Sequence, residues 1–317
     1  LLRLKMARAM LEEAEIRRVA ASLGIPIIGF TEATPLLEIK PHLEARHTTN
    51  GPTPFVGVSP DKRVDYRQAY GDVAAVIVIG LPYTLKMSPP KSTQGKGRLS
   101  AFCRGEDYHL RLSRTMEALM VALKANHPQL DYRLFVDNGK LVDRGSAWRA
   151  GLGFYGKNNT LIHPQYGSGV FIGQILVNTP IAFVPVTPLK SQCGSCRRCL
   201  DACPQGALKS GFSLDASRCI SYLTQKKKLS EEEEQRVQYF VYGCDLCQLA
   251  CPYNAHLPEV RWEDGPLNAA WPELQALSEM DEATFDAAFA GSALHWRGCQ
   301  TLVRNSKLLL KFQEKEC

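Results

Sequence analysis

The sequence predicts an α/β domain followed by a cysteine-built module and then by a few terminal helices, and three observations carry that expectation. Apolar runs of strand length alternate with helix-length amphipathic stretches up to about residue 180. Eight cysteines then fall between Cys193 and Cys251, seven in two runs and Cys219 apart, and from residue 267 onward Leu, Trp, Phe and Ala recur at helical spacing. The chain has 317 residues, 45% of them hydrophobic, enough to bury one large core or two smaller ones.

Residues 5–23 mix apolar and charged residues at helical spacing and stop at Gly24, which predicts an amphipathic helix. Ile25–Phe30 reads as a short strand, Pro35–Arg46 as a second helix and Gly51–Pro60 as a loop. Val73–Leu81 is almost continuously apolar, as in a strand covered on both faces of an α/β sheet. Lys86–Ser100, rich in Pro, Gly, Ser and Lys, predicts a loop, and Tyr108–Asn126 resumes helical periodicity. Tyr132–Val136 is a strand with Asp137 at its C-terminal end, where α/β sheets place ligand sites, so Asp137 is the first catalytic candidate; the bland reading is an Asp capping a turn. Arg144–Gly151 predicts a helix, while Thr160–His163 and Gly169–Val177 supply further strands of the same sheet. In the stretch joining the two cysteine groups, Ser230 before Glu231–Glu234 predicts an N-cap and an acidic first turn.

Cys193-x2-Cys196-x2-Cys199-x3-Cys203-Pro204 resembles the bacterial ferredoxin ligand run, whose fourth Cys serves the other cluster. Its counterpart is Cys244-x2-Cys247-x3-Cys251-Pro252, with Cys219 standing apart. The crossed assignment places Cys193, Cys196, Cys199 and Cys251 on one [4Fe–4S] cluster and Cys203, Cys219, Cys244 and Cys247 on the other. Structural zinc also uses Cys-x2-Cys pairs, but two runs each closed by Cys-Pro fit cubanes better. Cys103, Cys299 and Cys317 are left over.

Lys and Arg outnumber Asp and Glu by 38 to 32, a net charge of +6 that leaves room for a basic patch without requiring one. Charges at Glu12, Glu13, Glu15, Arg17 and Arg18 interrupt the N-terminal segment, which argues against a signal peptide or a membrane span. A cytoplasmic protein is expected, where thiols stay reduced for metal. No G-x-G-x-x-G follows a predicted strand, which counts against a nicotinamide site, and Gly151–Asn158 ends in Asn where a P-loop needs Ser or Thr, which counts against ATP.

Arg104-Gly-Glu-Asp-Tyr-His109, Val136-Asp137-Asn-Gly139…Val142-Asp-Arg144, Gly151-x-Gly-Phe-Tyr-Gly156-Lys157-Asn158, Gly167-Ser168-x4-Gly173, the two cysteine runs and Trp296-Arg297-Gly298 occur in this order. Together they resemble epoxyqueuosine reductase over nearly the whole chain. That resemblance implies an α/β cobalamin-binding domain related to that of reductive dehalogenases (residues 1–180), a ferredoxin-like two-[4Fe–4S] module packed against the corrin (181–258), and C-terminal HEAT-like helices (259–317) that bind tRNA. It implies reduction of epoxyqueuosine to queuosine at the wobble position of the tRNA anticodon, with two electrons and two protons. Cob(I)alamin would supply the reducing nucleophile and Asp137 the proton, for which its pKa must be raised.

No D-x-H-x-x-G segment occurs, so a base-off cofactor without a protein His axial ligand is expected. The resemblance places Arg63 and Cys103 along the corrin, with a small buried hydrophobe as the plain reading of Cys103. Lys157 and Asn158 could bond the corrin periphery, and Ser221, Gln225 and Asp245 could approach it from the cluster module. His163 either touches the corrin tail or fills a polar turn, and packing and cofactor roles of Tyr108 and His109 are not separable. Lys226, Lys227, Lys228, Arg297 and Arg304 are candidate RNA contacts, each alone also readable as a surface charge. The expected partners are queuosine-family tRNAs, through the anticodon stem-loop, and an external low-potential electron donor, with a monomeric chain and no membrane. Two departures bear on this: the segment around Pro41–Pro54 is short, and longer family members continue past the position of Cys317, which predicts weaker tRNA affinity. A dehalogenase-like reductase of a small organic substrate and a ferredoxin-like electron-transfer adaptor are the alternatives, separated by tRNA-dependent turnover and by bound corrin.

Overall fold

A computed structural model describes residues 10–50, 55, 58–85, 88–137, 139–209, 212–258, 260 and 270–316. Most of the loop expected over 51–60, the first residues of the expected N-terminal helix and Cys317 lie outside the described residues.

The N-terminal helix α1 runs over Glu13–Ser22 and buries Ile16 and Ala20. It stops before Gly24, whose φ of +70° is a left-handed conformation that a side chain would oppose. Four strands form the central sheet: β1 (Ile27–Glu32), β2 (Ala75–Pro82), β3 (Tyr132–Val136) and β4 (Val170–Val177), in the spatial order β1-β2-β4-β3. All three pairings are antiparallel, with Phe30 opposite Ile77, Ile77 opposite Ile175 and Leu134 opposite Ile175. The continuous hydrophobicity around β2 is explained by cover on both faces, and every residue of the strand is buried. The antiparallel pairing departs from the parallel sheet that such a run usually signals, because burial on two faces dictates composition and says nothing of strand direction.

One face packs Ile77, Ile79 and Ile175 against Ile16 of α1 and against Leu112, Met116 and Leu119 of α2 (Tyr108–Asn126). The other packs Val76, Val78 and Leu176 with Leu36, Tyr66 and Ala147, the last on α3 (Asp143–Arg149). Leu161–Ile162 does not join this sheet; it pairs with Phe154–Tyr155 in a separate two-stranded ribbon that carries the Gly156–Asn159 turn. The expected second helix lies at Lys40–Asn50, later than its apolar pattern suggests, because Leu36 N is held by the Val64 carbonyl and the helix can begin only afterwards.

The cysteine module is built from one-turn helices, including Arg198–Asp201, Ile220–Leu223 and Leu246–Leu249, of which the first and last pack together. Ser230 and Glu233 form a reciprocal capping box at Glu231–Glu234. C-terminal helices follow at Leu274–Ser278, Glu282–Phe289 and α4 (Cys299–Glu316). Their apolar faces share a core with Leu99, Val241 and Tyr242. Asn305 of α4 is fully buried and donates to the carbonyls of Thr224 and Val241 at 2.8 Å each, which ties the terminal helix to the cysteine module. Leu99 N bonds Ala270 O and Ser100 N bonds Tyr242 O at 3.0 Å, so the segment before α2 is gripped from both later regions. Among the described residues, no helix is long and apolar enough to cross a membrane.

Candidate functional site

Asp137 follows β3 with φ of +40°, a left-handed conformation uncommon for a residue with a side chain. The residue is exposed directly after the buried pair Phe135 and Val136, so a strained backbone holds an open carboxylate in place. Tyr108 Oη donates to Asp137 Oδ2 at 2.6 Å. Tyr108 is itself fixed: its ring stacks on Phe171 of β4 at 4.4 Å and on His109 at 4.1 Å. Asp107 caps α2 by accepting from His109 N at 2.9 Å, and its carboxylate also lies 2.8 Å from His109 Nδ1. Burial, then the Asp137 carboxylate, push the Tyr108 phenol well above its ordinary range, so it acts as a neutral donor. Burial works against the charge on His109, but the Asp107 bond and charge outweigh it and raise the imidazole pKa.

Arg63, a corrin candidate, holds the Asp137 loop: its Nε donates to Gly139 O at 3.0 Å and its Nη2 to Leu141 O at 3.1 Å. Gly139 has φ of +75°, and a Cβ there would come within 3.1 Å of the Phe55 carbonyl, so the loop passes close to residue 55. Below it, Asp143 accepts from Gln174 Nε2, Gln174 Oε1 accepts from Ser146 Oγ at 2.6 Å, and Ser146 Oγ lies 2.7 Å from Tyr66 Oη. Burial of its carboxyl, then the nearby Asp137 charge, raise the pKa of Asp143 to about 7, against the pull of Arg63 and Arg144.

The cysteines gather in two sets. Cys193, Cys196, Cys199 and Cys251 line one cavity of about 300 Å³ together with Lys157 and Tyr253. Lys157 N lies 3.4 Å from Cys193 Sγ, and its ammonium donates to Gly194 O at 2.6 Å and Cys196 O at 2.9 Å. Lys157 therefore spends its charge on the first cysteine run. Cys203, Cys219, Cys244 and Cys247 form the second set: burial, then Cys244, Cys219, Asp245 and Cys203, raise the Cys247 thiol far above its usual range. Cys244 is pushed up to about 12 by burial and by Cys219, Asp245 and Cys203.

Each set fits an iron–sulfur cluster by its donor chemistry. Four half-buried or buried thiols that repel one another as thiolates need a compact, multiply charged cation centre to ionise. Among the described residues, no three His, Cys, Asp or Glu side chains converge at the distance of a single ion, as thiolates on one zinc at about 2.3 Å would have to. Sulfurs gathered more widely suit a cubane.

The remaining corrin candidates are scattered in role. Asp245 is fully buried and accepts from Ser100 Oγ at 2.5 Å and Ala101 N at 2.7 Å, which anchors the second cysteine run to the segment before α2. Cys103 is buried, its sulfur donates to Ser100 O at 3.0 Å, and burial raises its thiol pKa far above normal. Gln225 Nε2 donates to Ser221 O at 2.9 Å. His163 Nδ1 accepts from Gln165 N and Tyr166 N at 3.1 and 3.3 Å, the arrangement of a polar turn. Asn158 is buried, its Nδ2 has no partner among the described residues, and it lines the same cavity as Cys193, Cys196, Cys199 and Cys251, so this corrin candidate borders the first cysteine set. Of the basic residues, Lys227 and Lys228 are exposed, whereas Lys226 pairs with Glu233 and Arg304 donates to the carbonyls of Lys226 and Lys227 at 2.7 and 2.9 Å. Sequence reasoning missed Tyr108 as the partner of Asp137 and Arg63 as the clamp of its loop; the spacing to Asp137 is 29 residues for Tyr108, and no local pattern encodes such a contact.

An α/β sheet with a carboxylate at a strand end, joined to a module that gathers eight cysteines into two sets of four, defines an iron–sulfur oxidoreductase. Residues 192–254 match the family model for a 4Fe-4S double cluster binding domain, and residues 63–138 match that described as "Epoxyqueuosine reductase QueG, DUF1730". The chain is 36% identical over 299 residues to epoxyqueuosine reductase of Bacillus anthracis, covering 91% of this chain and 77% of that one. It is 37% identical over 306 residues to that of Bacillus subtilis, covering 93% and 78%. A crystal structure of epoxyqueuosine reductase with a tRNA-Tyr epoxyqueuosine-modified tRNA stem loop superposes with a TM-score of 0.88 at 33% identity, over 95% of this chain and 81% of that one. The structure from Streptococcus thermophilus gives 0.84 at 32% identity, over 94% and 80%. The chain belongs to the epoxyqueuosine reductase family.

Proposed function

We propose that this oxidoreductase reduces the epoxide of epoxyqueuosine in the anticodon loop of tRNA to the alkene of queuosine, with Asp137 as the proton donor. The observation that carries the assignment of Asp137 is its placement: an exposed carboxyl on a strained loop at the end of β3, hydrogen-bonded to Tyr108 and clamped through Arg63. The reaction removes the epoxide oxygen as water, takes up two electrons and two protons, and leaves a carbon–carbon double bond. Cobalamin, when bound, supplies a strongly reducing, nucleophilic cobalt.

The residues of the chain do the rest. Asp137 holds a proton at Oδ1 for the departing oxygen, while Oδ2 accepts from Tyr108, which fixes the rotamer. The eight cysteines hold two [4Fe–4S] clusters in the crossed arrangement supported by the two spatial sets, and pass electrons singly toward the α/β domain. Asn158 lines the cavity of the first cysteine set with a buried, unpartnered Nδ2, which suits a hydrogen bond to that cluster's sulfur. A base-off cofactor is supported by the engagement of His163 Nδ1 in its own turn. Lys227 and Lys228 suit phosphate contact, while Arg304 serves the fold. Residues 1–180, 181–258 and 259–317 remain the proposed functional division, with the terminal helices as an RNA-facing, HEAT-like arm. An external low-potential donor, a monomeric chain and a reducing, cytoplasmic compartment complete the reading.

The test is anaerobic reconstitution, iron and cobalamin analysis, and an assay on epoxyqueuosine-containing tRNA. Asp137→Asn should retain both clusters and cobalamin and lose activity by roughly 100-fold or more, the usual worth of a general acid. Normal turnover by that variant would remove Asp137 from the role.

A further inference from the structure

One cluster of side chains is used neither by the fold's cores nor by the cysteine sets. Trp296 keeps 61% of its surface exposed, while Trp148 and Trp271 are half-buried. The Arg297 guanidinium lies 3.5 Å from the Trp296 ring centre and 4.4 Å from that of Phe55. Phe55 and Trp296 are 5.7 Å apart, and Tyr222 meets Phe55 edge-on at 5.2 Å. Arg297 Nε is buried without a hydrogen-bond partner among the described residues.

The cluster draws on three separate stretches. Tyr222 stands three residues after Cys219, and the Phe55 carbonyl borders Gly139, two residues beyond Asp137. The aromatic group therefore lies beside the loop of the proposed acid. A cation–π knot that served packing alone would bury its largest ring; here that ring faces solvent, backed by a cation. Unstacked nucleobases are recognised by such a surface, an aromatic face with an arginine alongside for charge and edge contacts.

We infer that Trp296, Phe55 and Arg297 form a stacking platform for an unpaired nucleobase of the RNA loop, next to the base that meets Asp137. This rests on the RNA substrate proposed above. Trp296 carries the stack, Arg297 backs the ring with its positive charge, and Phe55 links the platform to the Asp137 loop.

The experiment measures binding of a labelled, unmodified anticodon stem-loop RNA to the cluster-loaded full chain, with cobalamin affinity and iron content measured in parallel. Trp296→Ala should weaken RNA binding on the order of 5- to 150-fold, the range of one lost base stack, while Trp296→Phe stays near wild type. A 2-aminopurine placed in the loop should be quenched by the wild-type chain and not by Trp296→Phe with Arg297→Gln added, a readout independent of stability. Equal RNA affinity of wild type and Trp296→Ala overturns the platform and leaves the RNA reading standing. Weakened cobalamin binding with unchanged RNA binding overturns it in favour of the cofactor's own base. Failure of the wild-type chain to bind the stem-loop overturns both.

Discussion

Tyr108 is the residue on which the proposed acid depends. Its hydroxyl reaches Asp137 only because Phe171 and His109 hold the ring by stacking, and burial keeps the phenol protonated. Tyr108→Phe keeps those stacks and removes the bond; kcat is expected to fall about tenfold, the worth of one hydrogen bond to a charged group, with the high-pH limb of the pH–rate profile displaced. An unchanged profile would show that the bond is not used in turnover. Asp143 carries a second prediction. A carboxyl raised from its ordinary value of about 3.9 to about 7 in the folded chain binds protons more tightly there than when unfolded. Its protonated form costs the fold nothing, so stability is lost as pH rises from about 4 to about 7 and is level above that. Asp143→Asn removes the slope, and the thermal midpoints of the variant and wild type should diverge in the variant's favour between about pH 4 and 7. Parallel curves would mean that Arg63 and Arg144 already neutralise the carboxylate.

Among the elements, the Gly156–Asn159 turn shows how a short ribbon serves a distant run. Pairing of Phe154–Tyr155 with Leu161–Ile162 aims Lys157 at the carbonyls of Gly194 and Cys196 and its backbone N–H at Cys193 Sγ. A fixed positive charge there favours the reduced, more negative state of a bound cluster. Lys157→Met should lower the potential of that cluster by an amount on the order of tens of millivolts, read by EPR-monitored titration, with the other cluster unmoved. Equal potentials would reduce Lys157 to a structural clamp. Most elements were legible beforehand: Tyr108–Asn126 and Tyr132–Val136 fall at the residues that periodicity indicates. Glu231–Glu234 has the Ser230 cap that its sequence announces. The ribbon was not legible, since two-residue strands leave no period to read, and neither was the antiparallel direction of β2 against β1 and β4.

At the scale of the whole molecule, the three regions interlock. Asn305 reaches Thr224 and Val241, and Asp245 reaches Ser100 and Ala101, so the cysteine module is held from both sides. The crossed ligand assignment is a statement at this scale and has its own test. Cys193→Ala and Cys251→Ala should each lose roughly half the iron, and combining them should lose no more, since both serve one cluster. Cys193→Ala with Cys203→Ala should lose nearly all of it; the opposite pattern would show uncrossed tetrads.

The sequence by itself determined the family, the two cysteine runs, the strand end that carries Asp137 and the extent of the helix Tyr108–Asn126, because each is written in contiguous residues or fixed spacings. Only the tertiary structure decided that Tyr108 and Arg63 hold the Asp137 loop, that Lys157 faces the cysteines and that Trp296 stands open beside Phe55. Those contacts join residues far apart in the chain, and their partners are chosen by packing and by the need to satisfy buried polar groups, which local composition does not record.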